Sequence, residues 1–458
     1  MKTIIVVNVF AACVAVVTPN DFLAFHSYLF YGLQFATLMP YLAIRAKYLK
    51  NIFLPTFFIL FYFLVNLALG SYLVPREFGW NKQFASDLAT GTHYQVIVPF
   101  LMLSNLLLFE LTRSTLRLVN RHSERLKIDK LNHTKFLNWK DVALAALSLS
   151  VFYTANALDI YYAFSIQLAV MIVHLTNQRL QGNWLRYLIY LAYLTLLVAT
   201  DFDNKREIVM AMFLIVFLES SHRNLPLRFN LGGLAALAGL ASTFLILVLT
   251  ASILRGYGDF QVQSAADAFS LIPAYVGSGV FLDGVIDNLE LNYFYGCTIA
   301  SMDLVLDGQI PLQFGDSLLK VLYLPIPRDL FPHKPESALQ IFTQTYAPDW
   351  WASDGSLPVM FASDMFINFH VAGLFACGIV WIAVNSAYVQ FYRSRHASFE
   401  FYSCAFLVTT VLQFARGSGI ELYVLYFLAA VPFFALVCFF TSASRPAPQL
   451  HRGRQVAQ

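Results

Sequence analysis

Charge is what this sequence has least of. Only 12% of its 458 residues are Asp, Glu, Lys or Arg, about half the share of a soluble domain. Cysteine is sparse as well. Cys13, Cys377, Cys404 and Cys438 fall in apolar runs, and Cys297 lies in a long connecting segment. That scatter excludes a disulfide framework and a cysteine metal site. No Walker loop, dinucleotide glycine fingerprint or HExxH occurs, which removes the usual nucleotide and zinc-peptidase readings. No internal repeat is visible, and the weak ten-residue alternation of a membrane β-barrel is missing. Neither a metal nor a cofactor is expected, and nucleic acid is not an expected partner.

Apolar length is abundant. The chain is 58% apolar and carries 43 Phe. Runs of about 20 apolar residues, enough to cross a bilayer as a helix, recur from end to end. The first, Thr3 to Val17, lacks a small-x-small cleavage site and reads as a membrane helix, not a signal peptide. The fold class read from this pattern is all-α and polytopic. Spans are predicted near 3–18, 22–44, 52–74, 94–112, 141–158, 160–177, 185–200, 206–220, 231–254, 364–390, 400–415 and 419–441, twelve in all.

The cations orient them. Residues 113–140 hold Arg113, Arg117, Arg121, Arg125, Lys127, Lys130, Lys135 and Lys140 against only Glu124 and Asp129. Such a loop stays in the cytoplasm. Counting spans from it puts both termini inside, with 21 of the 30 Lys and Arg. The chain then divides into nine helices over 1–254, one long external loop over 255–362, three helices over 363–441 and a cytoplasmic tail over 442–458. The loop holds twelve Asp and Glu but four basic residues. Its apolar pieces near 268–282 and 317–324 are predicted to form short helices lying against the membrane surface.

Nine cations fall on the outside, against the topology rule. Four motifs gather six of them at external helix ends: "DFDNKREIVM" (201–210), "LRGYGD" (254–259), "LPIPRDLFPHKPES" (324–337) and "FARGSGIEL" (414–422). They supply Arg206, Arg255, Arg328, Lys334 and Arg416. Arginine is planar, always charged and forks onto phosphate. Several arginines at one depth repel unless an anion or carboxylates lie between them. The bland alternative is snorkelling at helix ends or pairing with nearby acids. In the third motif Pro325, Pro327, Pro332 and Pro335 restrict the backbone, which would present Arg328 and Lys334 at set spacing.

The order "NKREI", "RGYG", "IPRDLFPHKP", "ARGSGIE" resembles that of the oligosaccharide repeat-unit polymerases, the Wzy-type O-antigen polymerases, and among them the enterobacterial common antigen polymerase type. The likeness covers about the last 260 residues and its most specific part is the proline stretch. One departure is "DNKRE", where the family often has a Gly-rich approach to the arginine. The resemblance implies a GT-C-like glycosyltransferase of the bacterial inner membrane with its site on the periplasmic face. It implies undecaprenyl-pyrophosphate-linked oligosaccharides as donor and acceptor, within a lipid bilayer and with a chain-length regulator as a partner. Fixed arginines would stabilise the diphosphate leaving group. A carboxylate would take the proton from the acceptor hydroxyl. Glu421 is the first candidate, five residues beyond Arg416, and Glu290 and Asp259 follow. Two rival classes remain. One is another lipid-linked glycosyltransferase, such as an O-antigen ligase or an enzyme using Asp21 on single-sugar polyprenyl phosphates. The other is a transporter or flippase, which would place its ionisable residues near the midplane.

Overall fold

A computed structural model describes residues 1–78, 82–123, 264–289, 291–323, 330–331 and 333–393, with scattered positions between 188 and 262. Every element among the described residues is helical. The first group is α1 (Lys2–Val17), α2 (Asn20–Ala46), α3 (Pro55–Leu73), α4 (Lys82–Leu88) and α5 (Tyr94–Ser123). Then come α6 (Ala265–Ser270), α7 (Ile272–Val276), α8 (Phe281–Asn288), α9 (Leu291–Leu306) and α10 (Asp316–Tyr323). The last are α11 (Ala338–Tyr346), α12 (Pro348–Ala352), α13 (Phe361–Phe369) and α14 (Gly373–Arg393).

Among the described residues, three stretches are long and apolar enough to cross a membrane: Pro55–Arg76, Tyr94–Arg121 and Phe361–Gln390. They fall on the spans expected at 52–74, 94–112 and 364–390. The third is interrupted where His370 turns to φ 53° and Gly373 packs on the Met365 carbonyl. The expected spans between 141 and 254, and those at 400–415 and 419–441, lie essentially outside the described residues.

The helices are joined by buried hydrogen bonds, which suit an apolar surrounding where an unpaired polar group is costly. Asn385 of α14 donates to Thr56 Oγ1 of α3 at 2.9 Å and to Thr115 Oγ1 of α5 at 3.1 Å. Gln34 of α2 donates to the Met102 carbonyl of α5 at 3.0 Å and accepts from Asn105 at 3.0 Å. At the Ser123 end of α5, Asn120 donates to the Arg45 carbonyl at 2.9 Å. There Tyr388 donates to the carbonyl of buried Lys50 at 3.0 Å. Burial pushes the Lys50 ammonium down to about 8.

Both apolar pieces singled out in 255–362 carry helices, α6 to α8 over the first and α10 over the second. Helix α9 is a further one, and it is almost wholly buried, Cys297 included. It packs against α3 and α4 through two glycines. A Cβ at Gly70 would lie 2.5 Å from Tyr295 Cβ and 2.7 Å from the Leu291 carbonyl. A Cβ at Gly296 would lie 2.9 Å from Leu88 Cβ. Tyr295 then reaches Ser27 of α2 at 3.0 Å, and Phe294 meets Tyr62 of α3 with ring centres 5.3 Å apart. Gly70→Ala should therefore lower the stability of the purified protein by roughly 1–3 kcal/mol. Gly32→Ala, with nothing within 4 Å, should leave it unchanged or slightly raised. Thermal melting in one detergent checks both, and an unaltered melt for Gly70→Ala would contradict this packing.

Candidate functional site

The end of the bundle where α5 begins brings together groups far apart in sequence. His93 is the last residue before α5, and Asp303 lies in the final turn of α9. Asp303 Oδ1 accepts from the backbone N–H groups of Thr92 and His93, each at 3.0 Å, and lies 2.9 Å from His93 Nδ1. An anion at the start of a 30-residue helix meets unpaired N–H groups and the positive end of the dipole. Gly91 permits this approach, since a Cβ there would lie 3.1 Å from Asp303 Cγ. Asp307, one turn further on, places Oδ1 3.7 Å from the same ring nitrogen. Asp303 is 13% exposed, His93 34% and Asp307 38%.

Two chemical uses fit three such side chains. Their ligand atoms lie within 4.8 Å of one another, close enough to surround a cation. Yet Asp303 Oδ1 already accepts up to three hydrogen bonds, and His93 Nδ1 is engaged with it. The better description is an imidazole oriented by a carboxylate. With Nδ1 donating to Asp303, Nε2 becomes the basic nitrogen. Neither residue was singled out from sequence. Their signal is faint: "GTH" ahead of one span and "DLVLD" at the end of an apolar run, 210 residues apart.

Of the site residues named from sequence, Lys334 is described and half-buried, and Asp21 lies exposed in the first turn of α2. Arg206, Arg255, Asp259, Glu290, Arg328, Arg416 and Glu421 lie outside the described residues. The surroundings of the proline stretch are described on both sides. Tyr323, the last residue of α10, stacks on Phe331 with ring centres 5.1 Å apart and planes 6° from parallel. Positions 323 and 331, on either side of Arg328 in the sequence, are thereby in contact. Beyond Lys334 the chain enters α11 through a capping box, Ser337 bonding Gln340 N and Gln340 bonding Ser337 N. Lys320 of α10 bonds the Gln340 side chain, and Gln344 donates to Glu336 at 3.0 Å.

Among the described residues, Arg76 and Lys320 of the outside cations have contacts that tie them to the fold. The Arg76 guanidinium lies 4.1 Å from the Tyr72 ring centre and 5.2 Å from that of Tyr28. Lys320 braces α11, as above. The loop 313–317 docks on α13, where Asn368 accepts from Gly315 N at 3.1 Å and donates to Ser317 Oγ at 2.8 Å. No protein-family model, curated protein or solved structure matches the chain.

Proposed function

We propose that this chain is a membrane glycosyltransferase that joins polyprenyl-pyrophosphate-linked oligosaccharide repeat units, as Wzy-type polymerases do. The observation that carries the reading is the gathering of the four basic motifs on the face that disfavours cations. The proposed setting is a bacterial inner membrane crossed twelve times, with both termini cytoplasmic. Two features of the described residues support it. The segment 291–317 is docked into the bundle as built structure. The proline stretch leaves and enters helices that are braced to each other.

In this reading the acceptor hydroxyl attacks the sugar carbon bonded to the donor diphosphate. The carbon–oxygen bond to diphosphate breaks, and the new glycosidic bond forms. Negative charge collects on the leaving diphosphate, where Arg206, Arg255, Arg328, Lys334 and Arg416 would meet it. The hydroxyl proton passes to a base. Glu421 is the candidate from sequence, with Glu290 and Asp259 behind it, and His93 Nε2 joins them from its orientation by Asp303. Removing the true base should slow turnover by roughly 10²–10⁴-fold while leaving lipid-substrate binding intact. Glu421→Gln and His93→Gln, compared in purified form on lipid-linked repeat units, decide between them. Normal turnover in either variant removes that residue from the role.

Topology has its own check. His122→Cys and Gln309→Cys are expected to be labelled from opposite sides, with position 309 reacting from outside. Position 309 is exposed, whereas its neighbour Ile310 is buried and would stay silent wherever it lay. Labelling of 122 alone from outside would remove the external site altogether. The deciding experiment for function is deletion in the source cell, with the surface glycan resolved by size. Loss of the long ladder with one repeat unit retained is expected. Loss of all glycan on the lipid core would instead mean a ligase or a flippase.

A further inference from the structure

Residues 346–357, "YAPDWWASDGSL", put an indole where it is neither buried nor loose. Trp350 of α12 is 48% exposed. It lies nearly parallel to Phe84 of α4, with ring centres 6.2 Å apart and planes at 20°. Phe84 in turn stacks on Tyr293 of α9 at 5.9 Å and 26°, and meets Tyr346 of α11 edge-on at 6.3 Å. The other restraint is Gly355, where a Cβ would fall 1.8 Å from Trp350 Cδ1 and Nε1. Gly355 N and Ser353 Oγ both donate to the Trp350 carbonyl at 2.9 Å. Leu357 N ties the turn to Thr343 Oγ1 at 2.9 Å. Phe84, itself packed on Tyr293 of α9 and Tyr346 of α11, therefore backs the Trp350 ring.

The rim is acidic. Asp349, Ser353 and Asp354 are exposed, and 346–360 contains no Lys or Arg. Asp87 lies close enough to add to the effect of burial in raising the Tyr346 phenol above its ordinary value. No hydrogen bond to Trp350 Nε1 occurs among the described residues.

Three occupants can be weighed. Interfacial tryptophans sit at headgroup depth beside lysine and arginine, whereas this one has carboxylates that lipid phosphates repel. The same charge excludes the diphosphate itself. A sugar ring matches, because its C–H face is apolar and lies flat on an aromatic ring, while its hydroxyls donate to ionised carboxylates. We propose that Trp350, with Asp349 and Asp354, is a subsite for a non-anionic sugar of the glycan chain. This deepens the polymerase reading and rests on it.

The test uses the full chain in detergent micelles, with binding read by isothermal titration calorimetry, which needs no reporter at position 350. The probe is the source cell's surface polysaccharide, released by mild acid so that it carries neither lipid nor diphosphate. Wild type should bind, and Trp350→Ala should bind about tenfold more weakly, at the upper end of what one aromatic contact contributes. Trp350→Phe should fall between them and guards against a folding defect. Asp349→Asn with Asp354→Asn should weaken binding with the ring intact. No binding by wild type, or equal binding by Trp350→Ala, overturns the subsite. So does emission quenched by brominated lipid in wild type but not in Trp350→Phe, which would make Trp350 a membrane anchor. Binding lost in Trp350→Ala, with no polymerisation of lipid-linked units by wild type, keeps the subsite and sinks the polymerase reading. Polymerisation by both proteins with unchanged binding does the reverse.

Discussion

Arg328→Lys is expected to lose nearly as much polymer as Arg328→Ala, about 10²-fold in rate on purified lipid-linked repeat unit at matched protein levels. The expectation rests on geometry more than on charge. Lysine keeps the positive charge but lacks the planar fork that grips a diphosphate with paired hydrogen bonds. The stretch carrying Arg328 is expected from its sequence to be stiff. Its prolines restrict the backbone, Tyr323 and Phe331 stack across its base, and the Ser337 capping box anchors its exit. Lys334 is the internal comparison, since it acts as a point charge and Lys334→Arg should be tolerated. If Arg328→Ala retains wild-type rate, the cations of this stretch have no part in the chemistry.

Arg255→Ala and Arg416→Ala should each abolish detectable polymer, a loss of about 10²–10³-fold, while the protein still inserts and purifies normally. Each arginine stands beside glycines at the end of an expected span, "RGYG" and "ARGSG". A side chain that stabilises charge developing only as the sugar–phosphate bond breaks should affect turnover more than affinity. Binding of the lipid-linked donor should therefore change less than the rate. Full ladder length from both variants would remove the diphosphate assignment. Arg76 offers a contrast. It shares the expected external face but is stacked on Tyr72 and Tyr28. Its loss should weaken packing and leave the chemistry alone.

How much could be read from sequence follows from what each feature depends on. A spanning helix is a local property. Its length and apolarity are written in consecutive residues, so α3, α5 and the α13–α14 stretch were legible in advance, to within a few residues at most ends. The bend at His370 was not, because it reflects Gly373 packing on the preceding helix rather than any proline. Helix α9 escaped notice for a related reason. Its 16 residues fall between the two apolar pieces singled out in 255–362, and the close approaches at Gly70 and Gly296 explain why it is buried between α3 and α4.

By itself the sequence determined the helical class, the helices long and apolar enough to cross a membrane, the distribution of cations along the chain and the four basic motifs. Composition and linear spacing suffice for these, since hydrophobic length and charge act on each segment almost independently. Tertiary structure alone decided which residues meet. His93 and Asp303 are 210 positions apart and pair because a helix N-terminus binds the carboxylate. Phe84, Tyr293, Tyr346 and Trp350 become one aromatic stack because α4, α9, α11 and α12 converge. Such contacts leave no periodic trace, because each partner satisfies its own local pattern, and only packing brings the pairs within reach.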